Sequence, residues 1–521
     1  MAVLDWVMIG GYFFVMVAIG VFAKSRIQNS ADFFTAGGRM PWWLSGISHH
    51  MSGYSSAVFV GYAAIAYDEG FVLYVWWALG ITFAVTLGAF IFAPRWPRLR
   101  RRLNIISPLE YLKTRYNLPT QQLLAWSGTL LKVFDVGAKW AAMGILLNVF
   151  AGVPLVWGIL LTGVVTLLYS TIGGIWADAL TDLGQFLIQL VAGIVMFIVA
   201  AAALGGVSSI WTMWGDLPEG NASAFNGQYT ALFVTVYLLI NTLSYNGGTW
   251  NLAQRYIASP TGSTARRAAF LSAGLYLVWP LVLFFPMWAA PILLPGLENT
   301  EQSYAYLALD LLPAGLVGLV VAGLFSHTMA MTGSDANAIS SVVTRDIIPA
   351  LRQGAATLNT RMELTVGRIS VFTFIALSIV IALLSESFGG VIGLIITWFG
   401  GLVGPIAIPM LLGMLPAFRR CGPAAAITSW SVGIAVFALT NFVIDGAIEN
   451  LAADQVTAIS VGGPVVCALI TYIVFGLVAP WRNTEADAVI DALNEDGDDA
   501  QLAEATSRID GADPPSEGGR L

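Results

Sequence analysis

Charged residues are scarce in this sequence. They make up 11% of its 521 residues, while hydrophobic residues make up 57%. Soluble domains usually carry about 25% charged residues. This scarcity excludes an ordinary soluble domain and indicates a polytopic membrane protein. Cysteine is also rare: Cys421 and Cys467 lie in or beside apolar runs and provide no disulfide framework.

Motifs for catalysis or nucleotide hydrolysis are missing as well. The chain has no phosphate-binding Gly-x-x-x-x-Gly-Lys sequence, no metal-ligand spacing of cysteine and histidine, and no Gly-x-Ser-x-Gly motif. These absences argue against an ATP-driven pump and against an enzyme, and they give no reason to expect a cofactor, a bound metal or a nucleic-acid partner. A secondary transporter remains, with a passive channel or facilitator as the alternative from another class.

Long apolar runs are what the chain has instead. A membrane-spanning helix needs about 20 mostly apolar residues. On this basis the sequence predicts an all-α integral membrane protein with about thirteen spans, at 3–23, 42–67, 71–92, 122–149, 154–172, 180–206, 229–248, 268–292, 314–343, 364–386, 388–415, 423–443 and 456–478.

The loops between these runs predict the orientation of the chain. If the N-terminus is outside, the lysines and arginines fall on or beside one face, and the loops of the opposite face contain acids but no lysine or arginine. Cytoplasmic loops collect lysine and arginine, so we expect a plasma-membrane protein with its C-terminus in the cytoplasm. The acidic segment 482–521 is too polar to fold alone, and we expect a disordered tail capable of weak protein contacts.

Two glycine-containing segments interrupt predicted spans: Gly46–Gly53 in the second span and Ser244–Trp250 at the end of the seventh. Non-helical backbone at membrane depth is tolerated where it lines a cavity. The span that contains each segment is the first of a block of five, at 42–206 and 229–415. Two successive blocks with an odd number of spans cross the membrane in opposite directions and so have inverted topology. Paired interrupted helices in two such blocks indicate a solute site between them. Glycines that permit close helix packing are the alternative.

The remaining segments are an N-terminal helix and loop at 1–41, an extracellular loop at 207–228 and two additional helices at 416–481.

Charged side chains within the predicted spans provide a further indication of where a solute site lies. Lys132, Asp135 and Lys139 lie on one face of one helix and leave one positive charge over. That charge can meet a solute carboxylate, pair with a carboxylate elsewhere in the protein, or reach water along its flexible stem. The three histidines, His49, His50 and His327, all lie in the two most polar candidate cavity helices.

Several stretches resemble one family, the sodium:solute symporters. They are Ala31–Trp43 (ADFFTAGGRMPWW), Tyr169–Gln185 (YSTIGGIWADALTDLGQ), Ala253–Ser259 (AQRYIAS) and the run SDANAISSVVTRDI from Ser334. The resemblance implies a leucine-transporter-type core of two inverted five-helix repeats. It also implies alternating access, in which a cation moving down its gradient drives the uptake of a small solute, with membrane lipid as the surrounding partner.

The resemblance also assigns cation-coupling positions, and this chain departs from them. The two sodium-binding hydroxyls of the family fall on Ala330 and Met331, and its carbonyl positions fall on Ser48, Met51 and His327. Asp182 and Ser334 resemble a second cation site of some members. Because histidine titrates near physiological pH, the coupling ion is either H⁺, or Na⁺ bound through Asp182 and Ser334. A helix shift that brings Thr328 or Thr332 into the site is the alternative.

The same resemblance implies which residues face the solute. These positions are His50, Ser52, Ser55, Tyr74, Trp77, Thr249 and Trp250, joined by Lys139 from the charge argument. The acid and amide by which the sugar branch binds hydroxyl groups are absent, which argues against a sugar. We therefore expect a carboxylate or an amino-acid-like solute.

Overall fold

The computed structural model describes residues 1–24, 29–352, 360–388, 390–391, 394–395, 399–448 and 450–494. In this part of the chain the secondary structure is helical, and β pairing is limited to one isolated bridge between Asn226 and Tyr229. The predicted all-α class is therefore confirmed.

The helices of the first half of the chain are α1 (Val3–Lys24), α2 (Ser30–Thr35), α3 (Trp42–Met51), α4 (Gly61–Asp68), α5 (Gly80–Ile91), α6 (Arg95–Leu103), α7 (Leu112–Arg115), α8 (Leu118–Ala151), α9 (Leu155–Ala203), α10 (Ser209–Thr212) and α11 (Ala231–Leu243). Those of the second half are α12 (Asn251–Ile257), α13 (Gly262–Leu293), α14 (Ser303–Leu311), α15 (Leu316–Val342), α16 (Ile348–Leu351), α17 (Thr360–Leu383), α18 (Gly404–Leu412), α19 (Pro423–Phe442), α20 (Asp445–Ile448), α21 (Ala453–Thr457), α22 (Gly463–Val478) and α23 (Thr484–Asn494).

By length and apolar composition, eight helices of the described chain can cross a membrane. The number is nine if Leu118–Ala151 and Leu155–Leu167, which are bent by 118°, form one broken span. Interrupted spans divide into shorter apolar helices such as Ser56–Asp68 and Gly401–Leu412. The count of thirteen spans and their division into repeats therefore stay predictions, and part of the predicted span 388–415 lies outside the described residues.

The first interruption is shorter than the sequence indicated. Helix α3 continues to Met51, and the regular helix is broken only between Ser52 and Ser55, before a tight turn at Ser56–Phe59. Gly46 is helical, and a Cβ atom there would lie 2.8 Å from the carbonyl oxygen of Ala268 in α13. Gly46 therefore serves close helix packing, the alternative that the sequence left open.

The second interruption coincides with the glycine pair. A wide helical turn spans Ser244–Gly248, and the backbone φ angle is +119° at Gly247 and +65° at Trp250. Glycine adopts a positive φ without the steric penalty of other residues. Helix α12, which carries Arg255 in its last turn, starts immediately afterwards at Asn251.

Helix α15 lies at the centre of the bundle and packs against α8, α9, α1 and α17. It is among the most buried of the apolar helices although it carries many polar side chains. Helix α3 packs against α13 and α9. The turn at Ser56–Phe59 that follows α3 packs against α8 and α15, and the candidate site forms there.

The beginning of the acidic C-terminal segment differs from the expectation of disorder. Thr484–Asn494 form helix α23, whose buried residues Ala486, Val489, Ile490 and Leu493 pack against α6 and α7. Pairing with arginines accompanies this burial: Arg419 contacts Asp487 and Asp491, and the guanidinium of Arg98 donates to the carbonyl of Leu493 at 2.8 Å. The apolar stripe of an amphipathic helix, rather than the overall acidity, thus determines its structure. Residues 495–521 lie outside the described residues.

Candidate functional site

A central cavity of about 60 Å³ lies beside the first interruption. It is bounded by the segment after α3, by α8, by the second interruption and by α15. Its lining residues are Gly53, Ser55, Ala57, Val58, Tyr62, Asp135, Ala138, Lys139, Tyr245, Met331 and Ile395. The cavity is therefore mostly apolar and aromatic, with one acid and one base on its α8 wall.

Two lysines and two aspartates form a buried four-charge cluster, which consists of Lys132, Asp135 and Lys139 of α8 and Asp335 of α15. The ammonium nitrogen of Lys139 lies 2.8 Å from Asp135 Oδ2 and 2.6 Å from Asp335 Oδ2. Lys132 contacts the same two carboxylates. Asp335 thus neutralises the positive charge that the α8 sequence leaves over, and the internal ion pair is the alternative that this geometry supports.

A second polar cluster, the carboxylate–arginine cluster, joins four helices. Its members are Ser48 and Ser52 at the end of α3, Asp178 and Asp182 of α9, Arg255 of α12 and Ser334 of α15. The guanidinium of Arg255 donates to Asp178 and Ser334 and lies 3.6 Å from Asp182 Oδ2. The hydroxyl of Ser48 donates to the same Asp182 oxygen. This cluster therefore connects both interrupted helices to the α9–α15 pair.

Charges in the carboxylate–arginine cluster do not balance, because one arginine faces two aspartates when both are ionised. Asp182 is fully buried, and its second oxygen, Oδ1, has no hydrogen-bond partner among the described residues. Burial of an uncompensated charge costs several kcal/mol. Hydroxyl and carboxylate oxygens are the ligands that hard cations prefer, so the cluster can accept one more positive charge at Asp182.

Asp182 does not lie at the start of a helix, although the predicted span that contains it begins at residue 180. Helix α9 spans Leu155–Ala203 and is kinked at Gly174, where φ is +52°. Asp182 therefore lies two turns inside the helical segment that follows the kink, away from unpaired N–H groups. Its partners are side chains of other helices, Ser48 and Arg255.

The three histidines differ in their partners. His49 is fully satisfied: one ring nitrogen, Nε2, lies 3.1 Å from the carbonyl of Tyr245, and Nδ1 lies 2.8 Å from the hydroxyl of Ser272. Because a carbonyl can only accept, Nε2 carries a hydrogen, and in a neutral imidazole the Ser272 hydroxyl donates to Nδ1. Both ring nitrogens of His50, and Nδ1 of His327, are buried without a hydrogen-bond partner among the described residues.

The family-derived cation positions differ in the ligand atoms that they offer. Ala330 and Met331 offer no side-chain oxygen, and Met331 lines the central cavity. The carbonyl of Ser48 already accepts from the backbone and hydroxyl of Ser52, and the carbonyl of Met51 accepts from the N–H of Tyr54. The Thr328 hydroxyl accepts from the N–H of Ser56 at 3.1 Å, so this threonine does lie against the interrupted segment. Thr332 donates back to its own helix, to Thr328.

The predicted solute-facing residues are distributed unevenly. Ser55 and Lys139 line the cavity. Trp77 packs against Tyr54 and Tyr276, as does His50. The remaining side chains point to other partners: Ser52 to Ser334, Tyr74 to the carbonyl of Leu277, Thr249 to the carbonyl of Ser244, and Trp250 towards Gly128 of α8.

Among the cavity residues that sequence reasoning did not assign to a site are the two tyrosines Tyr62 and Tyr245, and it gave Asp135 no solute role. The sequence did contain an indication that Asp135 faces the cavity, because Asp135 lies one helical turn from Lys139 on the same face of the helix. Tyr62 lies in the second half of the broken span and Tyr245 in the second interruption. Only their positions beside breaks could have indicated them.

Comparison with known proteins shows that this chain matches one family. Residues 33–433 match the model of the sodium:solute symporter family. The sodium/sialic acid symporter SiaT of Proteus mirabilis is 25% identical over 483 residues, which are 87% of this chain and 95% of that protein. Human sodium-coupled monocarboxylate transporter 1 is 27% identical over 443 residues, or 80% and 70% of the two chains.

A solved structure shares the fold. The substrate-bound outward-open state of a Na⁺-coupled sialic acid symporter superposes with a TM-score of 0.78 at 22% identity, covering 93% of this chain and 99% of that one. These relatives are transporters and not enzymes. The matched segment contains most of the motifs from which the resemblance was inferred. The chain is therefore a multi-pass membrane transporter that belongs to the sodium:solute symporter family.

Proposed function

We propose that this protein couples the inward movement of Na⁺ to the uptake of a small carboxylate-bearing solute, which binds in the central cavity. The observation that carries the proposal is the carboxylate–arginine cluster, where Asp182 and Asp178 share the single charge of Arg255 and Asp182 Oδ1 has no hydrogen-bond partner among the described residues. Na⁺ bound there would be coordinated by the carboxylate of Asp182 and the hydroxyls of Ser48 and Ser334. Sodium coupling is the property of the family as a whole.

The solute class is supported by the α8 wall of the cavity. Lys139 lines the cavity, and two of its three N–H groups are used by Asp135 and Asp335. The third N–H group is available to a carboxylate. Sialic acid and monocarboxylates, named for two relatives, carry such a group.

The architecture of alternating access forms part of the proposal. We propose thirteen spans with two inverted five-helix repeats at 42–206 and 229–415, in a plasma membrane, with the N-terminus outside. Reaction of cysteines introduced at exposed loop positions with an impermeant thiol reagent on intact cells would test this orientation. Labelling near Gly220 but not near Lys113 is expected, and the reverse pattern would contradict it.

The experiment for coupling uses purified protein in proteoliposomes at equal pH on both sides. An inward sodium gradient alone is expected to concentrate the solute, and accumulation distinguishes a symporter from a passive channel. Asp182→Asn and Ser334→Ala are expected to raise the sodium concentration for half-maximal uptake at least about tenfold, which corresponds to about 1.4 kcal/mol of lost binding. Ser378→Ala is the matched control, because this buried hydroxyl donates to carbonyls of its own helix.

Proton coupling is the second candidate, and it is favoured by both ring nitrogens of His50 and by Nδ1 of His327, which have no hydrogen-bond partner in the part of the chain that the structure describes. Either imidazole can carry a proton in the physiological range when water or solute reaches it. In the same vesicles an inward pH gradient without sodium would then drive accumulation, and His327→Gln would abolish it. Accumulation by sodium at constant pH contradicts this candidate.

A further inference from the structure

The two charged residues that line the central cavity have opposite signs. Of the four-charge cluster, Asp135 and Lys139 reach the cavity wall, while the Asp335 side chain behind them is fully buried. The Asp135 side chain retains 9% of its exposure, and only its Oδ2 atom accepts from the two lysines among the described residues. Its other oxygen is therefore available as an acceptor next to the free N–H of Lys139.

From this pairing we infer that the solute is a small α-amino acid in its zwitterionic form. Its ammonium group binds Asp135 and its carboxylate binds Lys139. The inference rests on the proposed function, because it assumes that a carboxylate-bearing solute enters this cavity. It goes further by assigning a second charged group to the solute and a recognition residue to that group.

Charge balance favours a zwitterion over a simple carboxylate. The four-charge cluster is neutral as it stands, since each lysine is matched by an aspartate. A lone carboxylate would leave the buried site with one uncompensated negative charge, which is strongly unfavourable in a low-dielectric interior. A zwitterion adds one charge of each sign, and each charge finds an opposite partner in the wall.

The spacing of the two groups favours an α-amino acid over one with distant charges. Lys139 Nζ and Asp135 Oδ2 are 2.8 Å apart, on successive turns of one helix. In an α-amino acid the ammonium and carboxylate groups are attached to the same carbon atom and are therefore adjacent. In a 4-amino acid three carbon atoms separate the amine from the carboxyl carbon, so the two ends cannot both meet this pair without folding back.

The rest of the wall determines which side chain fits. Ala57, Val58, Ala138 and Ile395 supply aliphatic surface, and the volume of about 60 Å³ is small. Bulky or strongly polar side chains would require the wall to open further or would leave polar groups without partners. We therefore expect glycine-, alanine- or proline-sized solutes.

The primary test needs no variant. Ligand-dependent thermal stabilisation of the purified full-length protein is measured in sodium with alanine, proline, propionate, ethylamine, 4-aminobutyrate and glucose. Alanine or proline is expected to stabilise the protein at concentrations about tenfold to a hundredfold below those of propionate, as expected for one hydrogen bond to a charged group. Ethylamine and 4-aminobutyrate are expected to stabilise it no better than propionate.

Failures of the two proposals can be told apart. If propionate stabilises the protein as well as alanine, the zwitterion inference is overturned while a carboxylate solute stands. If glucose alone stabilises it, or if no compound containing a carboxylate does, the proposed function fails and the inference fails with it.

A substitution then tests the role of Asp135 itself. Asp135→Asn keeps the side-chain volume and gives the site one surplus positive charge. The preference is expected to invert, with alanine weakened at least about tenfold and propionate strengthened. Equal weakening of both ligands would assign Asp135 a structural role only and would overturn its assignment to the ammonium group.

Discussion

The ammonium group of Lys139 lies 2.6 Å from the carboxylate of Asp335, which reaches it from the neighbouring helix α15. This contact connects α8, which borders the central cavity, to the buried helix α15, which carries many polar side chains. Asp335 belongs to the same helix as Ser334, one residue away, and Ser334 is a member of the carboxylate–arginine cluster. The solute wall and the candidate cation site are therefore connected through one short stretch of α15.

Removal of the Lys139 charge is expected to destabilise the protein. Lys139→Met leaves two buried carboxylates with only Lys132, and breaking a buried pair costs about 3–5 kcal/mol. The double variant Lys139→Met with Asp335→Asn restores neutrality and should recover a large part of that loss. Thermal unfolding in detergent measures both. If the double variant is as unstable as the sum of the two single variants, the pair is not coupled.

The adjacent histidines His49 and His50 are expected to differ in how much stability the same substitution costs. His49→Leu removes both hydrogen bonds and leaves a buried carbonyl and a hydroxyl without partners, at a cost of about 1–3 kcal/mol for each group. His50→Leu removes a ring whose nitrogens have no hydrogen-bond partner in the described part of the chain, so its effect on stability should be within about 1 kcal/mol. The two variants are compared by apparent melting temperature. A larger loss for His50→Leu would mean that its ring binds a group not seen among the described residues.

Gly53 is expected to tolerate no side chain. A Cβ atom there would lie 1.8 Å from the hydroxyl of Tyr276, so Gly53→Ala forces this part of the interrupted helix to move and should reduce uptake at least about tenfold. Tyr276→Phe in the same chain removes the clashing atom and should restore part of the activity. Gly274→Ala on the same helix as Tyr276 has open space and is the control. Normal uptake by Gly53→Ala alone would show that the segment is not held in this position.

Helix α23 is expected to detach when its buried stripe is charged. Ile490 is fully buried and Ala488 is exposed. Ile490→Glu should increase hydrogen exchange of the amides in Thr484–Asn494 at least about tenfold, equivalent to about 1.4 kcal/mol of lost protection. Ala488→Glu, which changes the net charge equally, should leave exchange nearly unchanged. The same increase in both variants would mean that the helix is held by charge and not by burial.

The fold class and the family could be predicted from the sequence because the length of apolar runs and the local motifs depend only on residues that are close together in the chain. Sequence reasoning also found the second interruption, since the glycine pair at Gly247 and Gly248 marks a backbone change directly. The first interruption was placed too early because Gly46 is required by α13, which is distant in sequence. A glycine needed for contact and a glycine needed for a break are indistinguishable without the partner helix.

The candidate sites were harder to predict for the same reason. Asp335 follows Lys139 by 196 positions, and Arg255 follows Asp178 by 77. Helical spacing could show that α8 carries a surplus charge, but not which residue neutralises it. Likewise, nothing local indicated that Tyr74 and Trp250 would face other helices.

The neutrality of the four-charge cluster has an electrical consequence. A zwitterion bound there contributes no net charge to the cycle, so every sodium ion that accompanies it carries one positive charge across the membrane. Each such charge is driven by about 2.3 kcal/mol per 100 mV of membrane potential. A carboxylate without an ammonium group would cancel one of these charges. With a neutral wall around the solute, the membrane voltage adds to the sodium gradient as a source of energy for accumulation.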